Sequence, residues 1–507
     1  MAAGGCSLTP TTAGTKTLTA TYAGDANFAG STSAGAAQTV TAAGTATTIT
    51  GHTPDPAAVG QAIAVTFTVT STGGTPTGNV TVSDGNDTCT GTVAAGTCSL
   101  TPTTAGTKTL TATYAGDANF AGSTSSGVPH TVNASATTTA ITSETPDPST
   151  VGQAVTFFFT VAANAPGSGT PTGTVTVTDG TQSCSASVAV GSCSIAFNSA
   201  GTRTVTASYP GDGNYSASTS TGVGHTVSPA TTTTSITGQS PDPSVFGQAI
   251  IVSYSVTSGS GTPTGTVTVG DGAETCTATV AAGSCSLTPS SAGSLKLTAT
   301  YGGDGNFAGS TSASVGHTVN PAPTTTTITS EAPDPSTVGQ AVAVLFSVAS
   351  AAGTPTGTVT VSDGTDSCSG TVAAGSCSLT MSTAGVQTLT ATYGGDANFA
   401  GSASTGVSHT VTQAGTTTTI TGVVPEPSVV TQPITISFTV ISSGGTPTGN
   451  VTVTDGVVSC MATVADGSCS MIPLVAGPET LVATYGGDAN FLASTSAPFA
   501  HTVNLTP

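Results

Sequence analysis

The chain of 507 residues carries little charge and is acidic: only 5% of its residues are charged, and 23 acidic residues against 4 basic ones give a net charge of −19. So few basic residues cannot neutralise a phosphate backbone, which argues against nucleic acid and anionic membranes as partners. The sequence contains no run of 18 apolar residues and no recognisable signal peptide, so it predicts no membrane-spanning segment.

One short sequence, TYAGDANF at 113–120, recurs six times and is called the cassette here. Cysteine pairs with the spacing C-x8-C recur with it, at intervals of 95 residues and then 92, and the three additional residues lie in the loop 163–169. This periodicity predicts an array of copies of one structural unit. The predicted half unit is 1–42, and the predicted complete units are 43–134, 135–229, 230–321, 322–413 and 414–507.

The half unit 1–42 corresponds to the second half of a complete unit. Residues 2–33 match residues 94–125 with one difference, Gly5 in place of Thr97, and Met1 occupies the position of Val93. Cys6 is then the second cysteine of a pair whose first member would precede Met1. We expect the natural protein to extend upstream, and a ribosome-binding site directly before Met1 would contradict this.

Within the unit 43–134, alternation of Val, Ile and Thr predicts seven strands and no helix. In chain order these are 45–50, 63–69, 80–82, two strands that carry Cys89 and Cys98, 109–114, and a strand that ends at Val132. Pro and Gly fall between the strands, where they favour turns. Seven short strands with turns every 8 to 12 residues are typical of an antiparallel β-sandwich.

The connections between units are short, as in Asn320-Pro-Ala-Pro323, and proline limits their flexibility. With strands of eight to ten residues each unit would be about 30 Å long, so an extended array would reach roughly 150–200 Å.

Several motifs in fixed order carry a family resemblance: PDPS, VGQ, GTPTGTVTV, the C-x8-C pair, TYGGDANFAGS and HTV. In this order the chain resembles the tandem bacterial Ig-like repeat domains of large secreted or surface proteins, and the resemblance covers nearly all of it. It implies an all-β tandem array of Ig-like sandwich domains in an extracellular, adhesive or structural protein. The family pattern has no catalytic residues, so the resemblance implies no enzyme activity.

The ten paired cysteines are predicted to form disulfides within each unit. A short turn in a hairpin would place the two cysteines of a pair opposite each other, with both on the core side. Zinc is the alternative, but it needs four ligands, and the one histidine that repeats in every unit lies on a distant strand. Disulfides indicate an oxidising compartment. The predicted pairs are Cys89 with Cys98, Cys184 with Cys193, Cys276 with Cys285, Cys368 with Cys377, and Cys460 with Cys469.

One histidine per unit occurs in the motif HTV, and no Ser or Cys nucleophile is paired with it by a recognisable spacing. We therefore predict a packing or junction role for it.

The chain has no Trp, and its cassette tyrosines share the core side of their strand, which argues against an aromatic sugar-binding platform.

Three acidic positions repeat in every complete unit: the acid of the Pro-x-Pro motif, the aspartate after the third strand and the cassette aspartate. In an Ig-like sandwich the first two lie where the chain leaves the domain and the cassette lies where it enters. The ends of consecutive units would then form an oxygen-rich junction that suits Ca²⁺. The alternative is that these residues only form turns, which the absence of a dense D-x-D-x-D run favours. The candidate calcium ligands are Asp55, Asp84, Asp117, Asn119, Asp212, Asp304, Asp396 and Asp488.

These observations predict a non-catalytic extracellular or cell-surface stalk with no cofactor, and calcium at the junctions is the one candidate. Near-identical units favour a role set by length. Two alternatives stay open: a surface protein that recognises a glycan or protein through its loops, and an accessory region of a larger secreted enzyme. The sequence indicates no ligand and no oligomeric state.

Overall fold

The structure is a computed structural model that describes residues 4–506, so Met1 lies outside the described residues. By their internal contacts these residues form two compact bodies, and each is considered by itself. The first body runs to Thr232 and includes the loops Ser258–Pro263 and Gly303–Ala308. The second comprises Thr233–Thr257, Thr264–Gly302 and the residues from Gly309 onward.

The unit 43–134 shows the arrangement that the other complete units repeat. Its strands are β5 Ala46–Thr53, β6 Ala57–Ala58, β7 Ile63–Thr70, β8 Asn79–Ser83, β9 Thr88–Thr92, β10 Thr97–Leu100, β11 Gly106–Tyr114, β12 Ser123–Thr124 and β13 Val128–Asn133. One sheet has the order β5-β7-β10, and the other has the order β6-β13-β11-β8-β9 with β12 paired to β11. All of these pairings are antiparallel except β6 with β13.

The other complete units contain the same nine strands. In 135–229 they are β14 Thr137–Thr145, β15 Ser149–Thr150, β16 Ala154–Ala163, β17 Thr174–Thr178, β18 Ser183–Ser187, β19 Ser192–Ala196, β20 Gly201–Tyr209, β21 Ser218–Thr219 and β22 Val223–Ser228. In 230–321 they are β23 Thr233–Ser240, β24 Ser244–Val245, β25 Ile250–Thr257, β26 Thr266–Gly270, β27 Thr275–Thr279, β28 Ser284–Leu287, β29 Gly293–Tyr301, β30 Ser310–Thr311 and β31 Val315–Asn320.

The last two units follow the same order. In 322–413 the strands are β32 Thr325–Ala332, β33 Ser336–Thr337, β34 Ala341–Ala349, β35 Thr358–Ser362, β36 Ser367–Thr371, β37 Ser376–Thr380, β38 Gly385–Tyr393, β39 Ser402–Ala403 and β40 Val407–Thr412. In 414–507 they are β41 Thr417–Val424, β42 Ser428–Val429, β43 Ile434–Ile441, β44 Asn450–Thr454, β45 Ser459–Thr463, β46 Ser468–Met471, β47 Gly477–Tyr485, β48 Ser494–Thr495 and β49 Phe499–Asn504.

The alternating sequence of the strands explains the core of each sandwich. In β7, Ile63, Val65, Phe67 and Val69 are buried and the residues between them are exposed. Because successive side chains of a strand point to opposite faces, these four side chains face the second sheet. The predicted all-β array of Ig-like sandwiches is therefore confirmed. The seven predicted strands correspond to the seven longer strands, and two strands of two residues are added to them.

The expected hairpin around the paired cysteines is wrong. β9, which carries Cys89, pairs with β8, whereas β10, which carries Cys98, pairs with β7 in the other sheet. The turn between β9 and β10 is where the chain crosses from one sheet to the other, and its Gly96 accepts a hydrogen bond from Phe67 of β7. The cysteine pair therefore connects the two sheets at their edge.

The half unit contains β1 Gly14–Leu18, β2 Thr21–Gly24, β3 Ala29–Thr32 and β4 Ala36–Val40. β1 pairs with β4 and β2 pairs with β3, and these are the two pairings found for its described residues. The only helical segment in residues 4–506 is a 3₁₀ turn at Val280–Ala282, so the described chain has no helix long enough to span a membrane.

Candidate functional site

The cassette tyrosine lies in the core of each complete unit. Tyr114 ends β11 and is 1% exposed, and its counterparts in the later units are buried to the same degree. The predicted core position of this tyrosine is confirmed. Its aromatic face is not available to stack on a sugar ring.

The cassette aspartate organises its own domain. Oδ1 of Asp117 accepts hydrogen bonds from the N–H groups of Asn119 (2.8 Å) and Phe120 (3.0 Å). Its Oδ2 accepts hydrogen bonds from the N–H (3.0 Å) and the hydroxyl (2.7 Å) of Thr77. Such a turn is the ordinary role of an aspartate that binds nearby backbone donors. The same contacts connect Asp212 with Thr172, Asp396 with Thr356, and Asp488 with Thr448.

These hydrogen bonds lower the pKa of the cassette aspartates. Burial alone would raise the pKa of Asp212 and Asp488, but the threonine hydroxyl and the backbone N–H donors bring each to about 2. Burial, together with the neighbouring aspartate, raises the pKa of Tyr209 and Tyr485 to about 12. At neutral pH the aspartate is therefore ionised and the tyrosine is neutral.

The cassette asparagine contacts the preceding unit. Oδ1 of Asn119 accepts a hydrogen bond from the backbone N–H of Ala13 at 2.9 Å. Each later cassette repeats this bond at 2.8 to 2.9 Å, so every joint in the chain is built in the same way. The donor and acceptor pairs are Ala105 with Asn214, Ala200 with Asn306, Ala292 with Asn398, and Ala384 with Asn490.

The linker between units binds the backbone of the same cassette loop. The N–H of Ala43 donates to the carbonyl of Asn119 and the N–H of Ala121 donates to the carbonyl of Ala43, both at 2.8 Å. Equivalent parallel bridges form at Ser135–Tyr215, Ala230–Phe307, Ala322–Phe399 and Ala414–Phe491. Each linker is therefore held to the domain that follows it.

The loop 163–169, which carries the three additional residues, adds contacts at one joint. The N–H of Ser168 donates to the carbonyl of Val59 at 3.2 Å, and its hydroxyl donates to the carbonyl of Gly60 at 2.8 Å. A side chain on Gly60 would clash with Ser168, because an added Cβ would lie 2.4 Å from its Oγ. The insertion therefore lies against the preceding unit.

The candidate calcium ligands do not form one cluster. Asp84 accepts hydrogen bonds from the N–H groups of Asn86 and Asp87 in its own turn, and Asp55 lies beside His130. Among the described residues, none of the groups of three or more His, Cys, Asp and Glu donors within 4.8 Å contains Asp84 or a cassette aspartate. Calcium at the joints stays a prediction.

The HTV histidines are buried among polar partners. In the unit 135–229, Nδ1 of His225 lies 3.3 Å from Oδ1 of Asp147, and its Nε2 lies 2.8 Å from Oγ of Ser149. The same order recurs in His317 with Asp242 and Ser244, His409 with Asp334 and Ser336, and His501 with Glu426 and Ser428. In the unit 43–134, His130 keeps Asp55 at 3.2 Å, but Ala57 takes the place of the serine.

Sheet topology brings this serine to the histidine. β15 pairs in parallel with β22, with Ser149 opposite Val227, two residues after His225 and on the same face. The order serine, histidine, aspartate is that of a hydrolase triad, but Ser149 is 1% exposed and no substrate reaches its hydroxyl. In the four units that have the serine, the network connects the second strand, of two residues, to the last strand. Sequence spacing did not reveal it because serine and histidine are 73 to 76 residues apart.

Three of these networks include a further donor and can hold a metal ion. The donors of each group lie within 4.8 Å of one another. The groups are His52, Asp55 and His130; Glu144, Asp147 and His225; and Glu331, Asp334 and His409. Burial lowers the pKa of His130, and His52 acts in the same direction while Asp55 opposes it.

The sulfur atoms of the five predicted cysteine pairs lie at disulfide bonding distance. Among the described residues Cys6 is the free cysteine, and it is exposed.

The model of the bacterial Ig-like domain (group 3) matches the chain five times, at residues 49–133, 141–228, 236–320, 328–412 and 420–504. The chain belongs to this bacterial Ig-like family. Each Ig-like match begins in the first strand of a predicted unit and ends in its last strand, so the five disulfides and the five histidine networks belong to five tandem Ig-like domains. The exact unit boundaries stay a prediction.

Several solved structures show some similarity to this chain. They include the fibronectin(III)-like modules of CbhA from Clostridium thermocellum (19% identity, 36% of this chain and 94% of that one, TM-score 0.16). A Ca²⁺-stabilised adhesin by which an Antarctic bacterium binds ice shares 21% identity over 74% of this chain and all of that one, with a TM-score of 0.25. The Escherichia coli adhesin FdeC shares 12% identity over 54% and 96%, with a TM-score of 0.19.

Similarity at this level carries no argument about the function of the Ig-like array. No curated protein matches the chain in sequence.

Proposed function

We propose that this chain is a non-catalytic extracellular stalk that carries an adhesive or other binding partner at a distance from the cell. The observation that carries the proposal is the repeated joint, in which each cassette asparagine accepts a hydrogen bond from an alanine N–H of the preceding unit. A single specific binding site would require one unit to differ from the others. Here each added unit brings the same fold and the same joint, which suits a role set by length.

Two features support an extracellular location. The chain belongs to the bacterial Ig-like family, and five cysteine pairs lie at disulfide distance. Disulfides persist in oxidising compartments.

The Ser-His-Asp networks supply no reachable nucleophile for catalysis, because the serines of the four units that have one are 0 to 1% exposed.

Removal of whole units tests the stalk. We expect deletion of residues 322–413 to lower the maximum dimension in small-angle X-ray scattering, and deletion of 230–413 to lower it further by a similar amount. The remaining units should keep their unfolding midpoints. When the parent chain and the two deletion variants are displayed on a cell, the reach of the tip should decrease stepwise with each unit removed. An abrupt loss of binding on removal of one particular unit would favour recognition of a glycan or protein by that unit instead.

Calcium binding at the joints is tested by unfolding with and without the ion. The carboxylate oxygens of Asp117 already accept four hydrogen bonds from the protein, which a calcium ion would have to displace. For a chain first stripped of metal ions, we therefore expect the same unfolding midpoint without added metal and in excess calcium, as the turn role requires. A midpoint that rises with calcium and no longer does so after Asp117→Asn would establish the calcium site.

A further inference from the structure

The position three residues before the acid of each Pro-x-Pro motif differs between the five units. It is occupied by His52, Glu144, Gln239, Glu331 and Val423 in chain order. In the three units with histidine or glutamate, this side chain, the acid and the HTV histidine bring their donor atoms within 4.8 Å of one another. The stalk itself does not require this cluster, because the units with Gln239 and Val423 have the same fold without it.

The distances in the unit 135–229 match a metal site. Nδ1 of His225 lies 3.2 Å from Oε1 of Glu144 and 3.3 Å from Oδ1 of Asp147. Zinc binds nitrogen and carboxylate oxygen at about 2.0–2.1 Å in tetrahedral geometry, which places neighbouring ligand atoms about 3.3 Å apart. In the unit 43–134, Nδ1 of His130 is likewise 3.2 Å from Nδ1 of His52 and 3.2 Å from Oδ1 of Asp55. In both clusters the two distances from the HTV histidine nitrogen are those of ligands around one ion, whereas His52 Nδ1 and Asp55 Oδ2 lie 4.0 Å apart.

One carboxylate oxygen of Glu144 has no hydrogen-bond partner, while the other lies 3.2 Å from Nδ1 of His225. The side chain of Glu144 is 9% exposed, and its Oε2 is buried without a hydrogen-bond partner. Two carboxylates, Glu144 and Asp147, face one imidazole, and the Lys or Arg ion pair found among the described residues is elsewhere, between Arg203 and Asp179. A buried carboxylate oxygen in this state is costly, and a divalent cation would offset the cost.

The hydrogen bond behind His225 suits a metal ligand. Ser149 Oγ lies 2.8 Å from Nε2, so Nε2–H can donate to it and leave the lone pair of Nδ1 directed at the two carboxylates. Metal-binding histidines typically use one nitrogen as ligand and donate the other N–H to a polar group. The side chain of Asp147 is 47% exposed, so an ion can enter from solvent and water can complete its coordination.

The donor set selects the metal. Calcium takes six to eight oxygen ligands, whereas one or two imidazole nitrogens with one or two carboxylates in tetrahedral spacing suit zinc. We propose that the groups Glu144/Asp147/His225, Glu331/Asp334/His409 and His52/Asp55/His130 each bind one Zn²⁺ ion, and that the units with Gln239 and Val423 bind none. In the unit 230–321 the neutral amide of Gln239 instead donates to Oδ2 of Asp242 at 2.9 Å.

Zinc stoichiometry tests the proposal on the full chain with Cys6→Ser, which removes the exposed thiol as a competing ligand. After treatment with EDTA and buffer exchange, equilibrium dialysis against Zn²⁺ should give three equivalents per chain. Glu144→Gln should give two, and Glu331→Gln should also give two. Gln at this position is native in the unit 230–321, so these variants should fold. The exposed Glu274→Gln is the matched control and should keep three equivalents.

A gain of binding makes the test independent of misfolding. Gln239→Glu restores the third ligand beside Asp242 and His317 and should raise the stoichiometry to four. When Co²⁺ replaces Zn²⁺, the variant Gln239→Glu should show the tetrahedral d–d absorption of one more bound ion than the parent chain. A stoichiometry that does not change with Glu144→Gln or Gln239→Glu, or that falls equally with Glu274→Gln, would overturn the proposal and assign any bound zinc to adventitious surface sites.

Discussion

The half unit and the complete unit that follows it contain the same nine residues, GTKTLTATY, at 14–22 and 106–114. In the complete unit they form one strand, β11, in which Leu110 is fully buried. In the half unit they form two shorter strands, β1 and β2, and Leu18 is 40% exposed. An identical sequence therefore gives different strands and different burial in two regions of one molecule.

The difference comes from the neighbouring strands. The second part of β11, from Thr111 to Tyr114, pairs with β8, and the first part pairs with β13. In the half unit β1 pairs with β4 as β11 does with β13, but no strand equivalent to β8 pairs with β2 in the described residues. The alternating pattern selects the residues suited to a core, and burial itself depends on the partner sheet.

The largest expected difference between the two regions is the effect of a core truncation. Leu110→Ala should lower the free energy of unfolding of the unit 43–134 by roughly 2–5 kcal/mol, because it leaves a cavity in a packed core. The matched variant Leu18→Ala removes the same atoms from a side chain that is 40% exposed and should change stability much less. Hydrogen exchange with mass spectrometry, resolved by unit, measures both. Equal effects of the two variants would contradict the comparison.

The second-largest expected difference is in the effect on stability of replacing the paired cysteines or the free Cys6. Replacement of Cys89 and Cys98 by serine opens a loop of about ten residues and should cost the unit 43–134 roughly 2.5–3 kcal/mol. Cys6→Ser removes no disulfide and should leave the thermal unfolding of every unit unchanged. Denaturant titration of the two variants against the parent chain provides the measurement. A similar midpoint for the parent and the double serine variant would show that the disulfide between the sheets adds little to the stability of the unit 43–134.

The cassette aspartates provide a pH-dependent comparison. The folded pKa of Asp212 is about 2, below its ordinary value of 3.8, so its stabilising effect is complete above pH 3.8 and is lost as pH falls from there through about 2. Asp212→Asn should therefore cost roughly 1–2 kcal/mol at neutral pH, and the difference from the parent should shrink at pH 2.

In the half unit, Asp25 accepts a hydrogen bond from the exposed Tyr22 at 2.6 Å, and no threonine corresponding to Thr172 contacts it among the described residues. Asp25→Asn is therefore the control and should leave the acid unfolding of the complete units unchanged. Unfolding curves between pH 2 and 7 test the pair. A constant difference between Asp212→Asn and the parent over this range would show that the charge of Asp212 is not responsible.

The smallest expected effect is at the joints. Asn214→Ala removes the acceptor for the N–H of Ala105 and should cost about 0.5–1.5 kcal/mol, the value of one hydrogen bond. Asn119→Ala removes the equivalent bond to Ala13 in the half unit. Amide exchange by NMR should show faster exchange of Ala105 in the first variant. The Ala13 amide should already exchange fast in the parent, because none of the described residues 4–42 of the half unit is buried. Equal protection of both amides in the parent would contradict this.

Much of the fold could be predicted from the sequence because strand alternation and turn residues are local signals. The two-residue strands β6 and β12 were beyond such reasoning, since two residues show no alternation. The partners of the cysteines were predictable from their spacing, whereas the crossing of the chain between sheets at Gly96 was not. A hairpin and a sheet crossing differ in long-range pairing, which local sequence does not contain.

The candidate sites divide in the same way. The position of the cassette toward the preceding unit followed from Ig-like topology, and the hydrogen bond from Ala105 to Asn214 confirms it. The contact of Ser149 with His225 could not be inferred, because 76 residues separate the two in sequence and only the pairing of β15 with β22 joins them.

The repeated joint has a consequence for the genetics of the array. Its two halves, an alanine N–H and a cassette asparagine, are present in every complete unit, and neither depends on which unit is the neighbour. Unequal recombination between two copies at matching positions, even in the middle of a unit, regenerates a whole domain and a whole joint. Arrays of different length can therefore arise in a single recombination step.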